Sequence, residues 1–146
     1  MKSKLLAGMV ALSTVLLVTQ NAALADTFTS QVQNQLIVIA RRLNGSYRPT
    51  HKPAIDRMED GTNDDFTVSL RSGKRYAIVG VCDEDCDDLD LHVYDSNGNL
   101  IASDTDNDDV PVVQINPRWT GSFTVRAEMA GCSSNPCYYG VGFFGR

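Results

Sequence analysis

The chain has 146 residues, with 13 Lys and Arg against 18 Asp and Glu, a formal charge of −5. That balance excludes nucleic acid and anionic lipid as expected partners, because no cationic excess is there to displace phosphate counterions. The length suffices for one core but not for two.

Lys2 and Lys4 precede an uncharged apolar run from Leu5 to Val18, and Ala23-Leu24-Ala25 supplies small residues at both positions of an A-x-A site. This layout predicts a secretory signal peptide over residues 1–25, cleaved after Ala25. The run is short for a membrane span and no second apolar stretch follows, so no integral membrane segment is expected after cleavage. The expected location is the periplasm or the medium. Loss of Lys2 and Lys4 would deepen the charge to −7 over 121 residues.

Residues 26–44 predict an amphipathic helix. Phe28, Val32, Leu36, Ile39 and Leu43 form one stripe of a 3.6-residue period. Thr27, Thr29 and Ser30 are candidate N-caps. Arg41 and Arg42 suit the negative end of the helix dipole, and Asn44-Gly45 is a stop signal. The stripe needs a cover, either from this chain or from a partner. Residues 45–64, with Gly45, Pro49, Pro53 and Gly61, lack any period and read as a connector.

From residue 65 to 146 the period becomes two. Phe66, Val68 and Leu70 alternate with Thr67, Ser69 and Arg71, and Ser72-Gly73 turns the chain. Arg75–Val81 is rich in β-formers. Leu89, Leu91 and Val93 alternate with Asp88, Asp90, His92 and Tyr94. Asn97-Gly98 predicts a hairpin with a type I′ turn. Val110–Ile115, then Phe123, Val125, Ala127 and Met129, then Tyr139, Val141 and Phe143 complete the pattern. About seven strands with a turn every eight to twelve residues or so predict an all-β antiparallel sandwich or barrel. Tyr138 and Tyr139 fall on opposite faces of the last strand.

Four cysteines, Cys82, Cys86, Cys132 and Cys137, read first as two disulfides of an exported chain. Three pairings are open. The local pairs, Cys82 with Cys86 and Cys132 with Cys137, are favoured because each brackets a short polar loop. The rival is a four-Cys zinc site, which Asp83, Glu84 and Asp85 would crowd with negative charge.

Eleven of the 18 acids lie between Asp83 and Asp109, with no Lys or Arg among them. If the strands alternate up and down, loops 82–87, 104–109 and 130–137 share one end. The Asn97-Gly98 turn and the 117–121 turn share the other. Converging carboxylates call for a cation, and calcium takes six to eight oxygens from such loops. The candidate ligands are Asp83, Asp85, Asp87, Asp88, Asp104, Asp106, Asp108 and Asp109. The Asp104-x-Asp106-x-Asp108 spacing suits calcium but is not an EF-hand: Asp109 stands where its Gly belongs and Ile115 where its Glu belongs. A solvated acidic rim is the alternative.

Catalytic signatures are missing: there is no G-x-S-x-G and no H-E-x-x-H, so no enzyme is expected. His51 lies in the connector. His92 shares a strand face with Asp90 and Tyr94, a trio that is either a small metal or proton-transfer site or an outward polar face. Trp119, beside Arg118 in the 117–121 turn, is the candidate ligand-binding pair, or else Trp119 caps the core.

Four stretches resemble the bacterial pre-peptidase C-terminal domain family. They are Phe66-x-Val68-x-Leu70-x-x-Gly73-x-x-Tyr76, Asp88-Leu89-Asp90-Leu91-His92-Val93-Tyr94-Asp95-Ser96-Asn97-Gly98-Asn99, Gly121-Ser122-Phe123-Thr124-Val125-Arg126 and Tyr139-Gly140-Val141. The resemblance implies a jelly-roll-like β-sandwich of a kind appended to secreted peptidases and sometimes binding calcium, carbohydrate or matrix protein. The chain departs from it in having no peptidase domain, two Cys pairs and a helix in front. The expected function is an exported, non-catalytic binding or accessory module stabilised by calcium, with an extracellular or envelope protein or polysaccharide as partner. The alternative is a structural envelope component that pairs with a partner through its helix.

Overall fold

The computed structural model describes residues 11–43 and 45–146, and only the backbone of 11–21. The first ten residues of the expected signal peptide and Asn44 of the helix stop lie outside the described residues. One helix, α1 (Ala11–Arg42), leads into nine strands: β1 (Arg48–Pro49), β2 (Ala54–Met58), β3 (Asn63–Leu70), β4 (Tyr76–Cys82), β5 (Cys86–Tyr94), β6 (Leu100–Asp104), β7 (Val112–Ile115), β8 (Gly121–Cys132) and β9 (Cys137–Gly145).

The strands form two antiparallel sheets. Sheet A runs β1-β9-β4-β7, with β2 also on the open edge of β9, and sheet B runs β3-β8-β5-β6. Every connection from β2 onward crosses between the sheets except the β5–β6 hairpin. With β1 and β2 counted as one broken edge strand, this is the eight-strand connectivity of a jelly roll. The all-β sandwich behind an N-terminal helix is therefore as expected. The strand count exceeds seven because 45–64, read as an aperiodic connector, contributes β1 and β2. Their periodicity is hidden because Pro49 and Pro53 interrupt a short, largely exposed edge, where proline is tolerated.

The period-two residues do what alternation dictates. Leu70, Ile78, Leu89, Leu91, Phe123, Met129 and Tyr139 are fully buried between the sheets. Each such side chain contributes about 1.5–3 kcal/mol of transfer free energy. Sheet A is also covered on its outer face, since Val32 and Leu36 of α1 pack with Ala77, Val79, Val81 and Phe144. Hence all of β4 and nearly all of β9 is buried, the mark of a strand with two covered faces. Phe28 stacks on Tyr138 at 5.4 Å between ring centroids, and Ile39 and Leu43 pack at the margin. The predicted helical stripe is thus turned toward the chain's own sheet.

Two local expectations are corrected. Helix α1 runs unbroken through Thr27, Thr29 and Ser30, so none is an N-cap; Thr27 Oγ1 instead donates to the Ala23 carbonyl (2.9 Å). Residues 11–25 are themselves helical, so the helix begins upstream of the stripe. The β5–β6 hairpin forms where expected, but with another turn. Gly98 N–H donates to the Asp95 carbonyl (3.0 Å), and Gly98 itself takes φ 81°. That is a turn over Asp95–Gly98 ending in a left-handed glycine, not a two-residue type I′ turn.

Among the described residues, no helix is long and apolar enough to cross a membrane.

Candidate functional site

The strand order sorts the polar loops to two ends, and both disulfides lie at one of them. Cys82–Cys86 and Cys132–Cys137 are bonded, each with Cα atoms 5.9 Å apart. The local pairing holds, and with no free thiol the four-Cys zinc site is excluded. The bridges are neighbours, because Cys86 and Cys132 face each other across β5 and β8. Loops 82–87, 104–109 and 130–137 do meet here. Ser133 N–H donates to the Asp85 carbonyl (2.8 Å), Leu89 N–H to the Asp108 carbonyl (3.0 Å), and Asp83 N–H to the Tyr138 carbonyl (2.9 Å).

Three of the eight candidate carboxylates, Asp83, Asp104 and Asp108, accept backbone N–H bonds, while Asp88 Oδ1 is buried without a hydrogen-bond partner. Asp83, only 2% exposed, accepts the N–H of Tyr138 (2.8 Å) and of Asp85 (3.3 Å). Burial nevertheless pushes its carboxyl above the usual carboxylate range. Asp104 accepts the N–H of Val112 (2.7 Å) and Asp106 (3.3 Å), and Asp108 that of Val110 (2.9 Å). Asp87, Asp106 and Asp109 are exposed, and Asp85 and Asp88 are half-buried. Among the described residues, no three of these eight acids bring carboxylate oxygens within 4.8 Å of one another. They share an end of the molecule without forming one ligand set; several are turn-capping aspartates.

At the opposite end, Trp119 stacks on Phe123 (5.5 Å between ring centroids) and stays 42% exposed. It covers the core with one face and offers the other to solvent. A cleft of about 410 Å³ opens beside it, lined by Ile101, Gln114, Asn116, Arg118 and Trp119 among others. Leu100 and Ile101, exposed on β6, extend the apolar surface on that side.

The third place is the outer face of sheet B, which no other element among the described residues covers. In register across β3, β8 and β5, Asn63, Glu128 and Asp90 make one row, and Asp65, Arg126 and His92 the next. Arg126 binds Asp65 through two hydrogen bonds (2.7 and 2.9 Å), which holds the Asp65 carboxyl below its usual range. Arg126 also lies 5.5 Å over the Tyr94 ring, and His92 stacks on the same ring at 6.3 Å. Asp90, His92 and Glu128 place one ligating atom each within 4.8 Å of the others. His92 Nε2 lies 3.6 Å from Glu128 Oε2, beyond a good hydrogen bond. His92 Nε2 and Asp90 Oδ1 are both buried without a hydrogen-bond partner.

Sequence alternation placed Asp90 and His92 together and offered Tyr94 as third member; the structure supplies Glu128 instead. Glu128 is far away in sequence, and only the antiparallel register of β5 with β8 brings it opposite Asp90. His51, by contrast, is tied up locally, 2.9 Å from Thr50 Oγ1 and 3.0 Å from the Ser69 carbonyl.

Compared with models of known protein families and with curated proteins, the chain matches none.

Proposed function

We propose that the protein is an exported, non-catalytic β-sandwich module that binds an extracellular or envelope partner, protein or polysaccharide, through the cleft beside Arg118 and Trp119. The observation that carries this is the half-exposed Trp119 ring, held flat by Phe123 at the mouth of that cleft. A rigid aromatic platform with a guanidinium beside it is the usual anchor of a protein or sugar contact. Two disulfides suit an oxidising compartment, and the leader-like layout of residues 1–25 agrees with export. The resemblance to pre-peptidase C-terminal domains supports a module of this kind, although the residues that carry it largely serve the fold: Asp88–Asn99 builds the β5–β6 hairpin.

The helix-pairing alternative is weaker, since Val32 and Leu36 are already buried against sheet A. Calcium at the acidic end rests on charge alone. Melting in EDTA and in millimolar calcium tests it, with a higher melting temperature in calcium as the supporting result.

Trp119 is the single tryptophan of the chain, so its emission reports on this cleft alone. Titration with envelope polysaccharide and with periplasmic extract fractions is expected to shift that emission, and Trp119→Ala to abolish retention on the same material. Retention unchanged in Trp119→Ala would place the partner's site elsewhere.

A further inference from the structure

We infer that Asp90, His92 and Glu128 form a binding site for a divalent transition-metal ion of the zinc class, on the outer face of sheet B. The site is independent of the Trp119 cleft, which lies at one end of the sandwich.

The backbone builds it. Asp90 and His92 are two residues apart on β5 and so share a face, and Glu128 is the cross-strand partner of Asp90 on β8. Both strands are central in sheet B, between β3 and β6, so the three Cα positions are fixed by ladders on both sides. A tetrahedral zinc ion with bonds of about 2.1 Å holds its ligand atoms about 3.4 Å apart. The 3.6 Å between His92 Nε2 and Glu128 Oε2 is already close to that, and small rotations bring in Asp90.

The unmet hydrogen-bonding capacity points the same way. Buried polar atoms in folded proteins almost always have partners. Here two of the three ligating groups, His92 Nε2 and Asp90 Oδ1, have none. The nearest cation, Arg126, is held by both oxygens of Asp65 and leans over Tyr94. The two carboxylates therefore face an imidazole, and the Arg126 guanidinium makes its side-chain hydrogen bonds to Asp65 rather than to either of them. Asp88 and Asp104 add negative potential from the same neighbourhood. A divalent ion relieves each of these at once.

The donor set selects the ion. One imidazole nitrogen with two carboxylates suits zinc, cobalt, nickel or manganese. Calcium and magnesium prefer oxygen alone and more of it. Three protein ligands on an open sheet leave a coordination position for water.

The test uses the full chain, freed of metal with EDTA and dialysed, then titrated with zinc by calorimetry and with cobalt by visible absorption. One ion per chain is expected, with cobalt bands that report imidazole and carboxylate coordination. His92→Gln, Asp90→Asn and Glu128→Gln are each expected to weaken zinc more than tenfold, while His51→Gln leaves it unchanged. Calcium at equal concentration is expected not to displace cobalt. Metal-free Asp90→Asn is expected to melt no lower than the parent, which separates loss of a ligand from loss of the fold. Zinc affinity unchanged in His92→Gln, displacement by equimolar calcium, or no binding tighter than millimolar would overturn the site.

Discussion

Asp90 and Asp65 lie on one sheet face, yet their environments pull them in opposite directions. The Asp65 carboxyl is lowered, because its folded-state charge is held by the Arg126 guanidinium. The Asp90 carboxyl is raised, first by burial and then by Asp88 and Glu128. The linkage follows directly. Asp65 contributes stability above its unfolded value, lost as pH falls through the lowered folded value. Asp90 opposes folding at neutral pH, and that cost disappears as pH falls through its raised folded value. Asp90→Asn is therefore expected to raise the melting temperature at pH 7 in EDTA and to leave it unchanged near pH 3. Melts of the two chains at both pH values check this. A gain of the same size at pH 3 would trace it to something other than charge. At this scale the sequence was legible wherever alternation decides a face, as for Asp90 and His92. It was silent on Glu128, because a register between distant strands is not a local property.

Among the elements, β9 is where most of the molecule meets. It pairs with β1, β2 and β4, and α1 lies across it. Alternation assigned Tyr139, Val141 and Phe143 to the interior, and that is where they are. Between them stand Gly140 and Gly142, which read as unremarkable strand glycines until the helix is placed. A Cβ on Gly140 would lie 2.6 Å from Val32 Cγ1, and one on Gly142 would lie 3.1 Å from Leu36 Cδ2. These two positions form the groove that seats the apolar stripe. Gly140→Ala is expected to lose about 1–3 kcal/mol from overpacking. Thermal unfolding measures it, and near-parent stability would mean that α1 does not sit in the groove. The helical stripe was legible from its spacing. Its groove was not, because the absence of a side chain carries no hydrophobic signal. For a similar reason β2 was missed: Asp56 and Arg57 sit in an exposed edge, and only backbone pairing to Tyr138 and Tyr139 makes it a strand.

In the whole molecule, the polar clusters lie at two ends and on one face. Among the described residues, α1 covers β9 and β4 of sheet A, whereas the outer face of sheet B is open to solvent. The two bridges brace the acidic end, where the loops are held by many backbone bonds to carboxylates. Each closes a short loop, so chain entropy gives about 2 kcal/mol apiece. The double variant Cys132→Ser with Cys137→Ser is expected to melt several degrees lower, and reductant to lower the parent further. Equal melting with and without reductant would show the bridges to be dispensable. Tyr139 ties this end across the sandwich, since its buried hydroxyl donates to Asp64 Oδ2 at 2.7 Å.

The place of β9 has a consequence in time. It is the last strand of the chain, yet it lies inside sheet A and beneath the first helix. Contacts so distant in sequence close late, because the loop entropy is lost before any packing is gained. The helix cannot find its groove, nor the edge strands their ladder, until residues 137–145 are free to join.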